Sequence, residues 1–270
     1  MAISFKITLN NGVKVPQLGL GVYQSPVGKI TVHTVRYALE LGYRHIDTAK
    51  IYGNEIDVGI AVRESRINRE EIFITTKLWN SDQGYDKTLS AFENSLQRLG
   101  LSYVDLYLIH WPVQGKILET WKAMIKILKV GKARAIGVSN YSIAELKETI
   151  QTSDIIPAIN QVEFHPFLYQ KDLLDFCKNN RIQIESYSPL TRGRKLNHPL
   201  VKAISNKYGK TTAQILIKWN LQHGLVVIPK SIHENRILEN SQVFDFRIEE
   251  KDMEALNSLN ENFIEIMWNP

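Results

Sequence analysis

The sequence predicts an α/β fold: a single (β/α)8 TIM barrel over residues 1–270, with an N-terminal β-hairpin across the barrel bottom and extra helices near the C-terminus. Three observations carry this expectation. Compact, nearly unbroken apolar runs alternate with amphipathic stretches, the pattern of parallel strands joined by helical crossovers. Eight such β-then-α units can be counted along the chain. Finally, 270 residues suit one closed barrel of about 250 residues better than two domains of about 150.

Taken in order, Ser4–Leu9 and Val13–Val15 flank Asn10-Asn11-Gly12, which reads as a hairpin. Leu18–Leu20 and Arg44–Ile46 are the first two candidate barrel strands. Ile72–Leu78, Val104–His110, Ala133–Ser139, Ala158–Glu163, Ile182–Tyr187 and Val226–Ile228 supply six more, each apolar enough to be buried on both faces. Between them, Leu89, Phe92, Leu96 and Leu99 fall on one helical face, and so do Leu118, Trp121, Ile125 and Leu128. Ser142 with Glu145 and Thr211 with Gln214 form capping boxes at two helix starts. Gly100 and Gly131 follow helical stretches where a left-handed residue is wanted. Asn197–Tyr208 reads as an extra helix between the seventh and eighth strands, and nothing resembling a linker divides the chain.

Composition narrows the function classes. A hydrophobic fraction of 44% with 23% charged residues is that of a soluble globular protein and excludes intrinsic disorder. Cys177 is the only cysteine, which rules out an intrachain disulfide and a multi-cysteine metal site. Thirty-three Lys+Arg against 28 Asp+Glu give a net charge of +5. These charges alternate along helices, with the densest run at Arg192, Arg194 and Lys195, so no nucleic-acid partner is expected. The start MAISFKITLNNG carries no secretory signal and no apolar run approaches 18 residues. The expectation is a cytoplasmic monomer without a membrane partner.

In a barrel of this kind chemistry belongs at the C-terminal ends of the strands. Those ends carry, in order, Asp47, Lys77, His110, Ser139-Asn140, Gln161, Tyr187 and Lys230, and Tyr52 lies five residues beyond Asp47. Singly, each has an ordinary structural explanation: a barrel ion pair for Asp47 and Lys77, a satisfied core histidine for His110, a rim aromatic for Tyr52. Gathered at one mouth they suit proton delivery to a carbonyl. A buried lysine needs a carboxylate, which Asp47 can supply. The ammonium is then expected to draw the pKa of the Tyr52 phenol below its ordinary value of about 10. His110 can orient a carbonyl oxygen, and no serine or cysteine accompanies it for acyl transfer. Such a protein supplies a proton but no reductant, so a hydride donor has to be a cofactor. No GxGxxG is present, since Gly19-Leu-Gly21-Val-Tyr-Gln24 lacks the third glycine. Instead IPKSIHENRILEN places Lys230, Ser231 and Arg236 around a helix start opened by His233, an arrangement that suits a phosphate.

With these residues in view, the chain resembles the aldo-keto reductases, bacterial-type aldehyde or diketogluconate reductases in particular. The resemblance runs from LGLGVYQ to IPKSIHENRILEN, through GYRHIDTAKIYGNE, TTKLWNSDQGY, SYVDLYLIHWPV, GKARAIGVSNY, INQVEFHPFL and SYSPL. It implies a (β/α)8 barrel that reduces aldehydes and ketones with NADPH, returning NADP+. It further implies Tyr52 as general acid with Lys77, Asp47 and His110 completing a tetrad. Ser139, Asn140 and Gln161 match contacts to the nicotinamide carboxamide, and Tyr187 the aromatic stacked on its ring. Lys230, Ser231 and Arg236 match contacts to the 2′-phosphate, and Glu239 and Asn240 those to adenine. Tyr23, Trp79, His110 and Trp111 match the substrate pocket. The chain departs from the pattern at Tyr23, where tryptophan is common, at His233, and in its tail NENFIEIMWNP, where Trp268 is expected to close the pocket. Small reactive aldehydes and dicarbonyls such as methylglyoxal are the expected substrates. Keto-sugar acids, prostaglandin-type ketones and a non-catalytic NADPH-binding module are the alternatives.

Overall fold

The computed structural model describes residues 5–266. Ser4, where the hairpin was expected to begin, and Trp268 lie outside the described residues. Strands β1 (Lys6–Thr8) and β2 (Lys14–Pro16) pair antiparallel with Ile7 opposite Val15, around the Asn10–Gly12 turn. Eight parallel strands follow: β3 (Leu20–Gly21), β4 (His45–Asp47), β5 (Phe73–Leu78), β6 (Val104–Ile109), β7 (Ala133–Ser139), β8 (Ile159–Glu163), β9 (Gln183–Tyr187) and β10 (Val226–Val227). Each neighbours the next in sequence order, as right-handed βα units dictate.

Closure of the barrel falls on its two shortest strands. Leu18 bridges Val227 and Gly21 bridges Lys230, with Gly19 N–H donating to Val227 O and Gly21 N–H to Pro229 O. Strand β10 ends at Val227, although Ile228 N–H still donates to Ser186 O at 3.1 Å; Pro229, next in line, has no N–H to continue the ladder. Lys230 and Ser231 therefore sit in the loop beyond β10 rather than closing the strand. The glycines of LGLG belong to this seam. A Cβ on Gly19 would fall 2.7 Å from His45 Nδ1, and one on Gly21 3.0 Å from Ile228 O.

Helices α1 (Lys29–Glu40), α2 (Glu55–Glu64), α3 (Tyr85–Leu99), α4 (Ile117–Lys129), α5 (Ile143–Gln151), α6 (Lys171–Asn179) and α8 (Thr212–Gln222) connect successive strands. The expected extra helix is α7 (Pro199–Tyr208), while α9 (Glu234–Ser241) and α10 (Glu250–Asn257) follow β10. Both capping boxes form, at Ser142 with Glu145 and at Thr211 with Gln214. Gly100 and Gly131 take the left-handed φ of +63° and +76°. Phe92, Leu96 and Leu99 of α3 are buried, each contributing about 1.5–3 kcal/mol of apolar transfer. The hairpin plugs the barrel floor, packing Leu9 and Val15 on Phe73, Leu106, Leu108 and Ile159. Asn10 and Asn11 amides donate to Pro157 O and Arg134 O, at 2.9 Å each, and pin it there. With the hairpin across the N-terminal mouth, the larger cavity among the described residues opens at the C-terminal mouth.

Candidate active site

The loops at that mouth enclose a cavity of about 890 Å³ that reaches from Tyr23, Trp79 and Trp111 at one end to Arg236 and Asn240 at the other. Asp47, Lys77 and His110 arrive from the ends of β4, β5 and β6. Tyr52 closes a short 3-10 turn, Lys50–Tyr52, and Gly53 after it adopts φ +71°. Lys77 is fully buried, and its Nζ donates to Asp47 Oδ1 at 2.6 Å and to Thr48 O at 3.0 Å. The same ammonium lies 3.4 Å from Tyr52 Oη. Gln161 Nε2 donates to the other Asp47 oxygen at 2.9 Å. A fixed chain thus runs Gln161–Asp47–Lys77–Tyr52, ending on a phenol at the cavity wall.

The rings around Tyr52 are packed against one another. His110 stands edge-to-face with Tyr52 (centroids 5.7 Å apart) and with Trp79 (5.3 Å), and Tyr23 leans on Tyr52 at 5.0 Å. Burial and the Lys77 charge hold His110 well below the ordinary histidine range, so its imidazole is neutral. The expected lowering of the phenol's pKa is not found. Burial first, and then the Asp47 charge with Tyr23 and Glu185, hold Tyr52 well above the usual tyrosine range. Burial outweighs the ammonium, which sits closer to Asp47 (2.6 Å) than to Tyr52 Oη (3.4 Å).

A second group of side chains lines the cavity's middle. Asn140, in the left-handed region at φ +62°, turns its amide into the mouth and donates to His110 O and Ser139 Oγ at 3.0 Å each. Ser139 Oγ donates to Gln161 O at 2.8 Å, and Tyr187 Oη donates to Asn140 Oδ1, also at 2.8 Å. Hydroxyl and amide groups with a tyrosine ring beside them can hold a carboxamide on a flat ring.

The far end is cationic. Lys230 and Arg236 form no ion pair among the described residues. Partial burial and the nearby Arg192 guanidinium hold the Lys230 ammonium below the ordinary lysine range. The N-cap of α9, His233, makes no side-chain cap, and Ser231 Oγ accepts from His233 N–H at 3.1 Å. Facing cations at an uncapped helix start fit a phosphate group. Asn240 and Glu239 both line the cavity; Asn240 is buried, and Glu239 Oε1 accepts from the Thr211 hydroxyl at 2.8 Å.

Sequence reasoning missed three groups. Arg192 donates to Gln24 Oε1 at 2.6 Å, so the loops after β3 and β9 meet across the cavity. This loop carries Ser188, Thr191 and Arg192 at φ near +48° (49°, 49° and 47°), just before Gly193 at φ +90°. Glu185 is fully buried under the tetrad, with no hydrogen bond to either carboxylate oxygen. Its nearest cation-forming neighbour is His45, at 3.5 Å. Burial and the Asp47 charge push Glu185 up to about 8. A glutamate within a strand buried on both faces was the available signal. Among the described residues no group of three or more His, Cys, Asp or Glu side chains could hold a metal ion, and no helix is long and apolar enough to cross a membrane.

Comparison with known proteins agrees with this geometry. Glyoxal reductase of Bacillus subtilis is 50% identical over 256 residues, which cover 95% of this chain and 93% of that one. The 9,11-endoperoxide prostaglandin H2 reductase of Trypanosoma cruzi is 50% identical over 259 residues, covering 95% and 92%. A crystal structure of a Bombyx mori aldo-keto reductase in complex with NADP superposes with a TM-score of 0.92 at 36% identity, covering 97% of this chain and 95% of that one. The sequence profile described as Aldo/keto reductase family matches residues 18–261. With relatives half-identical along nearly their whole length and a barrel of the same shape, the chain belongs to the aldo/keto reductase family.

Proposed function

We propose that this protein is an NADPH-dependent carbonyl reductase in which Tyr52 is the general acid. The observation that carries the reading is the chain Asp47–Lys77–Tyr52, closed by His110 at the wall of the cavity. Ser139, Asn140 and Gln161 would hold the nicotinamide carboxamide, Tyr187 its ring, and Lys230, Ser231 and Arg236 the 2′-phosphate, with Glu239 and Asn240 toward the adenine. NADPH, when bound, supplies the hydride that no side chain can give.

The remaining chemistry is the chain's own. Neutral His110 donates a hydrogen bond that orients the carbonyl oxygen. As negative charge grows on that oxygen, Tyr52 Oη releases its proton to it, since an alkoxide is a far stronger base than a phenolate. Lys77 then faces the phenolate, and Asp47 keeps the ammonium in place. Tyr23, Ile51, Trp79, Trp111 and Ile266 make the reaction end aromatic and aliphatic. The ammonium there, Lys77, is paired with Asp47. A keto-sugar acid would lose water around its carboxylate without gaining a counter-charge. Small uncharged aldehydes and dicarbonyls such as methylglyoxal therefore fit best, and a glyoxal reductase is among the relatives.

The test is single-turnover reduction of methylglyoxal by wild type and Tyr52→Phe at saturating NADPH. The variant keeps the ring and loses the proton, so the rate should fall by about 10²–10⁴-fold with NADPH affinity retained. A variant keeping more than about a tenth of the rate would move the acid to His110.

A further inference from the structure

Two residues past Gln161, strand β8 ends on Glu163, a glutamate only 4% exposed that the mechanism above does not use. Its carboxylate reaches away from the tetrad toward the C-terminal segment 261–266. Oε1 accepts the backbone N–H of Glu265 at 2.7 Å, and Oε2 that of Ile266 at 3.1 Å. His165 Nε2, itself fully buried, braces Oε1 at 3.0 Å. Two consecutive amides thus dock on one carboxylate, an arrangement that fixes both position and direction of the chain. Neighbouring contacts support the same placement: Glu261 and Phe263 N–H donate to Phe167 O, and Lys195 pairs with Glu261 at 2.5 Å. Ile266 lines the cavity that holds Tyr52 and His110.

We propose that Glu163 is a specificity-determining positioning residue: its carboxylate seats Glu265 and Ile266 on the rim of the carbonyl pocket, so that substrate choice is set through strand β8. The proposal rests on the carbonyl-reductase reading above. The chemistry of the receptor is demanding, because both of its positions must be acceptors. Glutamine has the same shape, yet its NH2 would face one of the two N–H donors. The tail then keeps at most one of two charge-assisted bonds.

The test uses the full chain with NADPH, in wild type, Glu163→Gln, a deletion of residues 262–270, and the combination of the last two. Amide exchange at Glu265 and Ile266 reads the docking directly. The ratio of kcat/KM for phenylglyoxal to that for methylglyoxal reads its consequence. In Glu163→Gln, exchange of those two amides should rise by at least about tenfold. The selectivity ratio should shift by about threefold or more, with NADPH affinity within about twofold of wild type. On the truncated background Glu163→Gln should leave the ratio unchanged, because what it holds has been removed. Unchanged exchange in Glu163→Gln, or an equal shift in ratio with and without the tail, overturns the proposal. Should Glu163→Gln fail to fold, Glu265→Pro deletes one donor from the tail's side and must shift the ratio in the same direction. If neither dicarbonyl is turned over, the reductase reading fails, while the exchange measurement still decides whether Glu163 holds the tail.

Discussion

Replacing Lys77 by methionine tests the centre of the site most sharply, because it separates charge from shape. Methionine keeps the apolar stem and removes an ammonium that is 2.6 Å from Asp47 Oδ1 and wholly buried. Asp47, 2% exposed, is left with Gln161 Nε2 at 2.9 Å as its donor. Breaking a buried pair by deleting one partner costs about 3–5 kcal/mol while the survivor stays charged. Asp47 can instead take up a proton, and burial already holds its carboxyl above the usual range even with Lys77 present. Without Lys77 that displacement grows. The folded state then binds one more proton than the unfolded chain between the ordinary aspartate pKa of about 4 and the raised folded value, so stability falls as pH rises through that window. Urea unfolding of wild type and Lys77→Met at pH 5 and pH 8 checks this. The loss should be about 1–3 kcal/mol at pH 5, where the neutral acid has lost hydrogen bonds but carries no charge, and should approach the full 3–5 kcal/mol at pH 8. Asp47→Asn/Lys77→Met, which removes both charges, should recover most of the pH 8 loss. A pH-independent loss below about 1 kcal/mol would refute the picture of a desolvated ion pair.

Arg236→Ala should lower kcat/KM with NADPH by at least about tenfold, through loss of one charge-assisted bond, and change the value with NADH much less; equal losses with both would remove Arg236 from the phosphate site. Glu185→Gln should be stabilising at alkaline pH. A carboxyl raised to about 8 gives up stability as pH rises from the unfolded pKa of about 4.3 through 8, so the variant should gain at least about 1 kcal/mol over wild type between pH 6 and pH 9, read by the same urea titrations. Because burial and the Asp47 charge hold Tyr52 high, any alkaline loss of single-turnover rate traceable to the phenol should lie above pH 10, the ordinary tyrosine value; a midpoint near 9 that vanishes in Tyr52→Phe would contradict that placement.

The barrel was legible because its strands are buried on both faces, and such strands read as uninterrupted apolar runs. Asp47, Lys77 and His110 stood out against that background as polar residues at strand ends, and the structure brings all three to Tyr52. The same background concealed Glu185, since a lone acid within QIESY does not reveal whether it meets a cation, and it meets only His45 at 3.5 Å. The acidity of Tyr52 was misjudged for a related reason. Spacing places an ammonium near the phenol but does not show how deeply the phenol is buried or that the Asp47 charge also bears on it. Arg192 and Gln24 could not be paired in advance, because 168 residues separate them and a turn signal such as Gly193 marks a bend without saying which distant loop it meets. Gly19 and Gly21 were legible only as a failed nucleotide motif, whereas their work is to let the first and last strands close against His45 and Ile228.

The raised phenol is better suited to a proton donor than the lowered one the sequence suggested. A donor in the reducing direction has to hold its proton until the carbonyl oxygen becomes basic, and a phenol near neutrality would be partly ionised beforehand. The arrangement prevents that. Burial and the Asp47 charge on the side of the barrel core oppose a premature phenolate, and neutral His110 adds no positive charge to favour one. Once the oxygen has taken the proton, the ammonium 3.4 Å from Tyr52 Oη is the group in place to stabilise the new phenolate. In the proposed mechanism Lys77 would therefore act on the product of the proton transfer more than on the resting acid. Asp47 would then be a holder with a cost: it fixes the ammonium and, with burial, its charge raises the pKa of the phenol.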